Sequence, residues 1–397
     1  MASEWRKHRI KDVVSFVVDN RGKTPPTQDE GHILLEVNAV SATEKFPLYQ
    51  EVRKHVSQEV YDTRFRKGHP KKGDILVPTV GTLGAVSLMD RDDCCIAQNL
   101  IAIRCDETTC HSHFLYYVLC NPMTRKRLLN LNIGGVQPSI KVPHLMELEI
   151  ELPSIGEQKK IAELLSLLDD KIWCNKRIND NLQQQVATIF HQWFVANPES
   201  EKWPLVTLDS LTSLVSRGIA PKYTDDSVQI VLNQKCIRDH YIDVSLARRH
   251  NPKVINEKWL QYGDLLINST GEGTLGRAAQ VWFVPDNMTV DSHVTIVRPK
   301  GPHLLFYIGL WGISHEREIE ALHTGSTGQT ELPRERVKAM ELRLPDNDTL
   351  VRFNAVIAPI VSLIITNQQE NVRLASIRDA LLPKLMSGEI DVSDIRL

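Results

Sequence analysis

The sequence predicts an α+β chain: two mixed α/β domains joined by two long antiparallel helices that form a coiled coil, with pseudo-twofold symmetry. Three observations carry that prediction. Four short motifs recur in one order at a near-constant offset of 190 to 192 residues. Two segments keep apolar residues at alternating three- and four-residue spacing for about four heptads each. Between them lie short apolar runs bounded by Gly, Pro, Asp and Ser, the pattern of strands and tight turns.

The recurrence comes first, because a repeat decides how everything else is read. Gly73-Asp74-Ile75-Leu76 returns as Gly263-Asp264-Leu265-Leu266, and Thr82-Leu83-Gly84 as Thr274-Leu275-Gly276. His113 to Val118 returns as His303 to Ile308, and Glu149 to Pro153 as Glu341 to Pro345. Arg21-Gly22 and Arg217-Gly218 correspond at an offset of 196, so the intervening loops differ in length. Residues 1–153 and 199–345 are therefore expected to be two copies of one domain. Residues 154–198 and 346–397 are the helical segments that follow them.

Within each copy, Asp74 to Pro78, Leu100 to Arg104, Asp264 to Ile267 and Val294 to Val297 read as strands. His113 to Leu119 and Leu304 to Trp311 read as helices. Leu145 to Leu152 and Val337 to Leu344 alternate like a final strand. The first rod runs from about Glu157 to Phe194, roughly 57 Å at 1.5 Å per residue. Its seam is Ile161, Leu165, Leu168, Ile172, Asn175, Asn179, Leu182, Val186, Ile189 and Trp193. The second seam is Phe353, Ile357, Ile360, Ile364, Asn367, Asn371, Leu374, Arg378, Leu381 and Leu385. The two superpose at an offset of 192, asparagines included. An apolar stripe of that length needs a cover, and the other rod supplies it. An antiparallel pair brings Asn175 and Asn179 against Asn367 and Asn371. Buried seam asparagines fix register at some cost in stability, so these four are expected to mark the pseudo-twofold axis. Pro359 lacks a backbone N–H and is expected to kink the second rod or mark its start.

The 397 residues carry a net charge of -2, with 42% hydrophobic and 24% charged residues. These are ordinary values for a globular protein. The polar, basic N-terminus has no apolar run behind it, which argues against a signal peptide. The apolar stretch Ala355 to Ile365 is shorter than a bilayer requires. A cytoplasmic protein with no membrane partner is expected. Seven cysteines without a Cys-x-x-Cys pair fit a reducing compartment. Cys105, Cys110, His111 and His113 match no common zinc spacing, and no metal is expected. Near-neutral net charge conceals one basic segment. Residues 45–72 hold eight Lys or Arg against three acids. A local patch suffices for phosphate contacts, because counterion release depends on the footprint.

The order of globular unit, long helix, globular unit, long helix resembles the specificity subunits of type I restriction-modification systems. Three passages carry the resemblance. One is Leu152-Pro153, Glu157-Gln158-Lys159-Lys160-Ile161-Ala162, Leu168-Asp169-Asp170-Lys171-Ile172, Asn175-Lys176-Arg177-Ile178-Asn179 and Phe190-His191-Gln192-Trp193-Phe194, similar to the family's central conserved helix. Another is Arg378-Asp379 with Leu381-Leu382-Pro383-Lys384-Leu385-Met386-Ser387-Gly388-Glu389, similar to its C-terminal conserved region. The third is the repeated Gly-Asp-Ile/Leu-Leu strand followed by Thr-Leu-Gly. The second copy departs from the first in its longer loop, Thr270-Gly271-Glu272-Gly273-Thr274.

The resemblance implies two target recognition domains, each reading one half of a split, asymmetric site in double-stranded DNA. The rods would be the spacer between half-sites about one helical turn apart. Two modification (methyltransferase) subunits, which carry S-adenosylmethionine and methylate adenine, would dock on the rods. Restriction subunits (motor and nuclease) would complete the assembly. The chain itself would bind no cofactor and hold no catalytic residue.

Bases are read by side chains on loops that reach a groove. In the first domain the candidate DNA contacts are Arg21, Lys23, Thr24, Arg64, Arg66, Lys67, Lys71, Lys72, Thr79, Thr82, Gln137, Ser139 and Lys141. In the second they are Arg217, Lys222, Tyr223, Ser269, Thr270, Thr274, Arg277, Thr327, Gln329 and Thr330. Gln pairs with an adenine edge in bidentate fashion, yet Gln137 and Gln329 coincide at an offset of 192. That shared position points to a scaffold role. The Arg and Lys side chains suit phosphate.

Catalytic patterns are missing from the sequence. Thr24-Pro25-Pro26-Thr27 is not the adenine methyltransferase motif, and the glycine loops lack a nucleotide-binding pattern. Asp291-Ser292-His293 is a run of neighbours, whereas a triad converges from separate segments. A specificity subunit of a methylation-only or other phage-defence complex is the nearest alternative. A fused enzyme is disfavoured by the missing motifs, and a purely structural coiled-coil adaptor by the two loop-rich domains.

Overall fold

Gly73 and Gly263 adopt φ of +89° and +91°, backbone that a residue with a Cβ rarely enters. Each donates its N–H to the strand across the turn, to the carbonyls of Met89 and Val281, both at 2.8 Å. The aspartate that follows closes the same turn in both places. Asp74 accepts from the Lys71 N–H and Asp264 from the Gln261 N–H, each at 2.8 Å. Both carboxylates are buried and paired at 2.7 Å with an arginine of the neighbouring strand, Arg104 and Arg298. The recurring Gly-Asp pair is thus a turn and a buried ion pair built twice.

The computed structural model describes residues 5–392, apart from 23, 135–136, 252–254, 272 and 326–329. The chain divides into two units, residues 1–174 with 370–397, and residues 175–369. In the first, a four-stranded antiparallel sheet has the order Val14–Val18, Leu100–Cys105, Ile75–Pro78, Ser87–Leu88. A three-stranded sheet follows the order His55–Val56, His32–Leu35, Cys94–Ile96, with the last two strands parallel. Arg6–Arg9 pairs with Glu149–Leu152. The second unit repeats the plan with Thr212–Arg217, Val294–Pro299, Leu265–Asn268 and Ala278–Gln280. Its three-stranded sheet is Arg248–Arg249, Ile230–Leu232, Met288–Val290, and Leu205–Thr207 pairs with Glu341–Arg343.

The helices expected after each sheet are Ser112–Cys120 and Leu305–Ser314. One expectation needs correction. Leu145 to Leu152 and Val337 to Leu344 are not single strands. Each is a short helix, Val142–Met146 or Arg334–Lys338, and then a strand. Leu145 and Val337 are buried from one helical turn, which mimics alternation over so short a stretch.

The long helices are Ile155–Phe190, continued by a π-helical turn His191–Val195, and Asn347–Met386. Every seam position named from the sequence is buried or half-buried. The helices run antiparallel within each unit. In the first, Asp169 meets Arg378 at 2.6 Å and Lys171 meets Glu370 at 3.3 Å. In the second, Asn367 meets Asn179 at 2.8 Å. Ile161 and Leu165 pack with Leu382 and Leu385 in the first core, and Val186 and Phe190 with Phe353 and Ile357 in the second. Pro359 does not begin the second helix, which passes through it. Ala355, whose carbonyl would take the missing N–H, is exposed, so water can serve it. By length and composition alone Asn347–Met386 is long and apolar enough to cross a membrane. Phe353, Ile357, Val361 and Ile364 on this helix are buried in the core of the second unit.

Candidate nucleic-acid interface

In the first unit the candidate residues fall into two tied groups. Asn20 donates to the Gly68 carbonyl at 2.8 Å and accepts from the Lys67 N–H at 3.0 Å, so the segment around Arg21 and the basic run are held together. Thr24, Arg64, Arg66, Lys67, Lys71 and Lys72 are exposed. Arg21 is exposed as well, with its guanidinium on Asp19 at 2.8 Å, a pairing that raises its pKa. Beneath the run, the Tyr61 ring stacks on His32 and His69 at 3.9 and 3.7 Å. Burial pushes the His69 imidazole down, favouring its neutral form.

The second group surrounds the glycine loop. Gly81 donates to the Pro138 carbonyl at 3.0 Å, Ile140 donates to the Thr79 carbonyl at 2.8 Å, and Val80 bridges to Ser139. Thr82, Gln137 and Lys141 are exposed there and Ser139 is half-buried. Gly81 and Gly84 have φ of +89° and +77°, matched by Gly271 and Gly276 at +97° and +85°. These loops are tight strand connections in both units.

In the second unit all three candidate segments converge on Glu331. Arg217 pairs with its carboxylate, and Thr270 and Thr324 each bridge to its backbone. Arg217 also donates to the Leu332 carbonyl at 2.9 Å. Lys222 and Tyr223 are exposed, and the Arg248 guanidinium lies 3.7 Å from the Tyr223 ring centre. Such a contact is a cation–π pair. Arg277, Thr270, Thr274 and Thr330 are half-buried, and Thr274 gives its hydroxyl to the Thr270 and Gly271 carbonyls, both at 3.2 Å. Lys23, Thr327 and Gln329 lie outside the described residues, as do Gly135, Val136 and Glu272.

Two candidates are corrected. Thr79 and Ser269 are 3% and 0% exposed. Thr79 donates its hydroxyl to the Asn99 carbonyl at 3.2 Å, and the Ser269 and Thr295 hydroxyls meet at 2.5 Å. Both side chains face the sheet and finish its hydrogen bonding, so neither is a contact residue. Strand alternation flips successive side chains, and the next residue, Val80 or Thr270, is the one turned outward to half-exposure.

Sequence reasoning did not place Glu331, Arg248, Gln234 or His293 beside the candidate loops. Thr270 Oγ1 donates to Gln234 Oε1 at 3.2 Å and lies 2.7 Å from His293 Nδ1. No local pattern marks this trio, whose members come from three separate segments. Asp291, Ser292 and His293 do not form a triad. Asp291 accepts from the backbone N–H of His293 at 2.9 Å, and the imidazole turns to Thr270. Burial raises the Asp291 carboxyl pKa. Among the described residues no group of three or more His, Cys, Asp or Glu is placed to hold a metal ion. Cys105 and Cys110 are buried, and His113 lies 3.4 Å from the Ser166 hydroxyl.

Residues 2–184 match the family model described as the type I restriction modification DNA specificity domain. The MjaIX specificity subunit of Methanocaldococcus jannaschii is 28% identical over 316 residues, covering 72% of this chain and 70% of that one. The HindI specificity subunit of Haemophilus influenzae is 22% identical, covering 81% of this chain and 87% of that one. Among solved structures, the type I restriction-modification S subunit from M. genitalium superposes with a TM-score of 0.61 at 16% identity over 96% of both chains. That likeness concerns the fold.

Proposed function

We propose that the chain is a specificity subunit of a type I restriction-modification system, as its likeness to such subunits supports, and that it reads a split, asymmetric DNA site with one half-site per unit. The observation that carries the two-half reading is one scaffold built twice with unlike loops. The turn glycines, buried Asp–Arg pairs and sheet order coincide. The side chains presented at the strand ends do not. Two different half-sites follow from that difference, because scaffold places a loop and loop side chains choose the base.

The subunit recognises and does not catalyse. Its exposed basic run in residues 64–72 suits phosphate contact, which positions the protein without selecting a sequence. Adenine methylation, with S-adenosylmethionine, would belong to two modification subunits and cleavage to restriction subunits, in the cytoplasm. Apolar side chains on the outer helix faces supply a docking surface for the modification subunits. Leu167, Val372 and Ile377 are exposed in the first unit, and Ile178, Val351, Val356 and Leu363 in the second. Asn175, Asn179, Asn367 and Asn371 set the register of the helix pair in this reading.

Mapping N6-methyladenine genome-wide, in cells carrying the modification subunits with and without this chain, tests the proposal. A two-part motif with unlike halves appears only with the chain. A palindromic motif, or none, defeats the reading.

A further inference from the structure

We infer that Gln234, Thr270 and His293 are specificity-determining residues of the second unit, and that together they demand an A·T base pair at one position of its half-site. The assignment rests on the DNA-reading function proposed above and names the side chains that perform it.

The two units can be aligned bond by bond at this place. Thr79 N–H bonds to the Asn99 carbonyl as Ser269 N–H bonds to that of His293, each at 2.8 Å. Ile140 bonds to Thr79 as Leu332 bonds to Ser269, each at 2.8 Å. Ala97 bonds to Leu35 at 2.8 Å as Asp291 bonds to Leu232 at 2.9 Å. Asn99 therefore corresponds to His293, Val80 to Thr270, and Val37 to Gln234. The glycine loop confirms the last pair. A Cβ on Gly81 would meet the Val37 side chain at 3.7 Å, and one on Gly271 would meet that of Gln234 at 2.8 Å. Where the backbone is the same, two valines and an asparagine have become a glutamine, a threonine and a histidine.

These three side chains form a relay. Thr270 has one proton, and it goes to Gln234 Oε1. The Thr270 oxygen must then accept from His293 Nδ1, at 2.7 Å. A neutral imidazole protonated at Nδ1 carries its acceptor lone pair on Nε2. The outward ends are the Gln234 amide N–H and His293 Nε2, one donor and one acceptor. Neither has a hydrogen-bond partner among the described residues. Turning the amide over reverses both ends together, so the relay still shows one donor and one acceptor.

Adenine offers an acceptor at N7 and a donor at N6 in the major groove, which one donor and one acceptor complement. On its own edge guanine offers two acceptors, at N7 and O6, and lacks the donor that the acceptor end of the relay requires. The relay is also held in place. The Gln234 carbonyl accepts from the buried Asn268 amide at 3.0 Å, and Asn233 caps the turn through the Lys235 N–H at 2.9 Å. His293 is exposed and Gln234 half-buried, so the outward ends are reachable. Fixing a polar pair before binding lowers the ordering cost of contact.

The test uses the complex of this chain with its modification subunits and maps N6-methyladenine in cells. The triple variant Gln234→Val/Thr270→Val/His293→Asn carries the first unit's side chains. It is expected to relax one A·T position in one half-site, raising methylation at sites altered there about tenfold, and to leave the other half-site unchanged. The single variants Gln234→Ala and His293→Ala, expected to relax the same position, decide the matter if the triple variant fails to fold. A wild-type split motif that every folded variant leaves intact overturns the assignment alone. A wild-type complex yielding no split motif overturns the parent reading and the assignment with it.

Discussion

Asn367 donates its side-chain amide to Asn179 Oδ1 at 2.8 Å, and Asn179 passes its own amide to the Ile364 carbonyl at 3.2 Å. Both asparagines are 7% exposed on the seam of the helix pair. Asn179→Ala leaves the Asn367 amide buried without that acceptor, which costs about 1–3 kcal/mol. The double variant Asn179→Leu/Asn367→Leu is expected to match or exceed wild-type stability while admitting other registers. Denaturant unfolding and disulfide trapping of engineered cysteine pairs read the two effects. A double variant as unstable as the single one, or locked in one register, contradicts the register role.

Asp169 and Arg378 pair at 2.6 Å, and Tyr117 donates its hydroxyl to the same carboxylate at 2.7 Å. The seam offset of 192 puts Val361 and Val186 in the corresponding places of the other unit, both buried. Asp169→Ala leaves Arg378 with Asp379 alone and the buried Tyr117 hydroxyl without its acceptor, and is expected to cost about 1–3 kcal/mol. Tyr117→Phe/Asp169→Val/Arg378→Val copies the apolar solution and should recover most of that loss. Equal destabilisation of both variants in urea would mean that the network is irreplaceable.

Gly73→Ala and Gly263→Ala separate backbone strain from crowding. Both residues have positive φ, but a Cβ at 73 meets the Ser112 hydroxyl at 3.6 Å whereas one at 263 meets Leu305 at 2.4 Å. Gly73→Ala is expected to cost roughly 1–2 kcal/mol, and Gly263→Ala about 1–3 kcal/mol more. Adding Leu305→Ala to Gly263→Ala should remove most of the excess in a double-mutant cycle. An additive result rules out the clash.

Burial, reinforced by Lys45 and His111, pushes the His113 imidazole down to about 4, with Asp170 and Glu107 opposing. The unfolded chain takes that proton near 6.5, so the stability His113 contributes is complete above 6.5 and is lost as pH falls towards 4. The loss is on the order of 2 kcal/mol. His113→Gln should flatten stability against pH across that window, and parallel curves would refute it. His240 behaves oppositely. Its hydrogen bond to Glu316 raises its pKa, so its contribution is present at low pH and is lost as pH rises through the folded value.

Replacing Arg64, Arg66 and Lys67 with Ala should weaken DNA binding by the assembled complex and flatten its dependence on salt. Each phosphate contact removed lowers the log–log slope by about 0.9. An unchanged slope in a titration across salt concentrations takes this stretch out of the footprint.

The repeat, the seams and the turn glycines could be read before any coordinates, because each is a local property. A glycine at positive φ is needed where a turn demands it, and a helix face follows from spacing along the chain. The candidate loops were legible for the same reason, since they join recognisable strands. Which of their side chains point outward was not. Thr79 and Ser269 looked like contacts and are buried. Leu145 and Val337 looked like strand residues and sit on short helices, because one turn of helix and two strand alternations are alike over so few residues.

The sequence by itself determined that one scaffold is built twice and that two helices share a seam with paired asparagines. Only the tertiary structure decided that Gln234 and His293 meet Thr270, and that Glu331 gathers the three loops of the second unit. Those meetings depend on strand pairing between segments distant along the chain. Long-range pairing is set by the burial of whole faces, and no short pattern around any one of these residues records it.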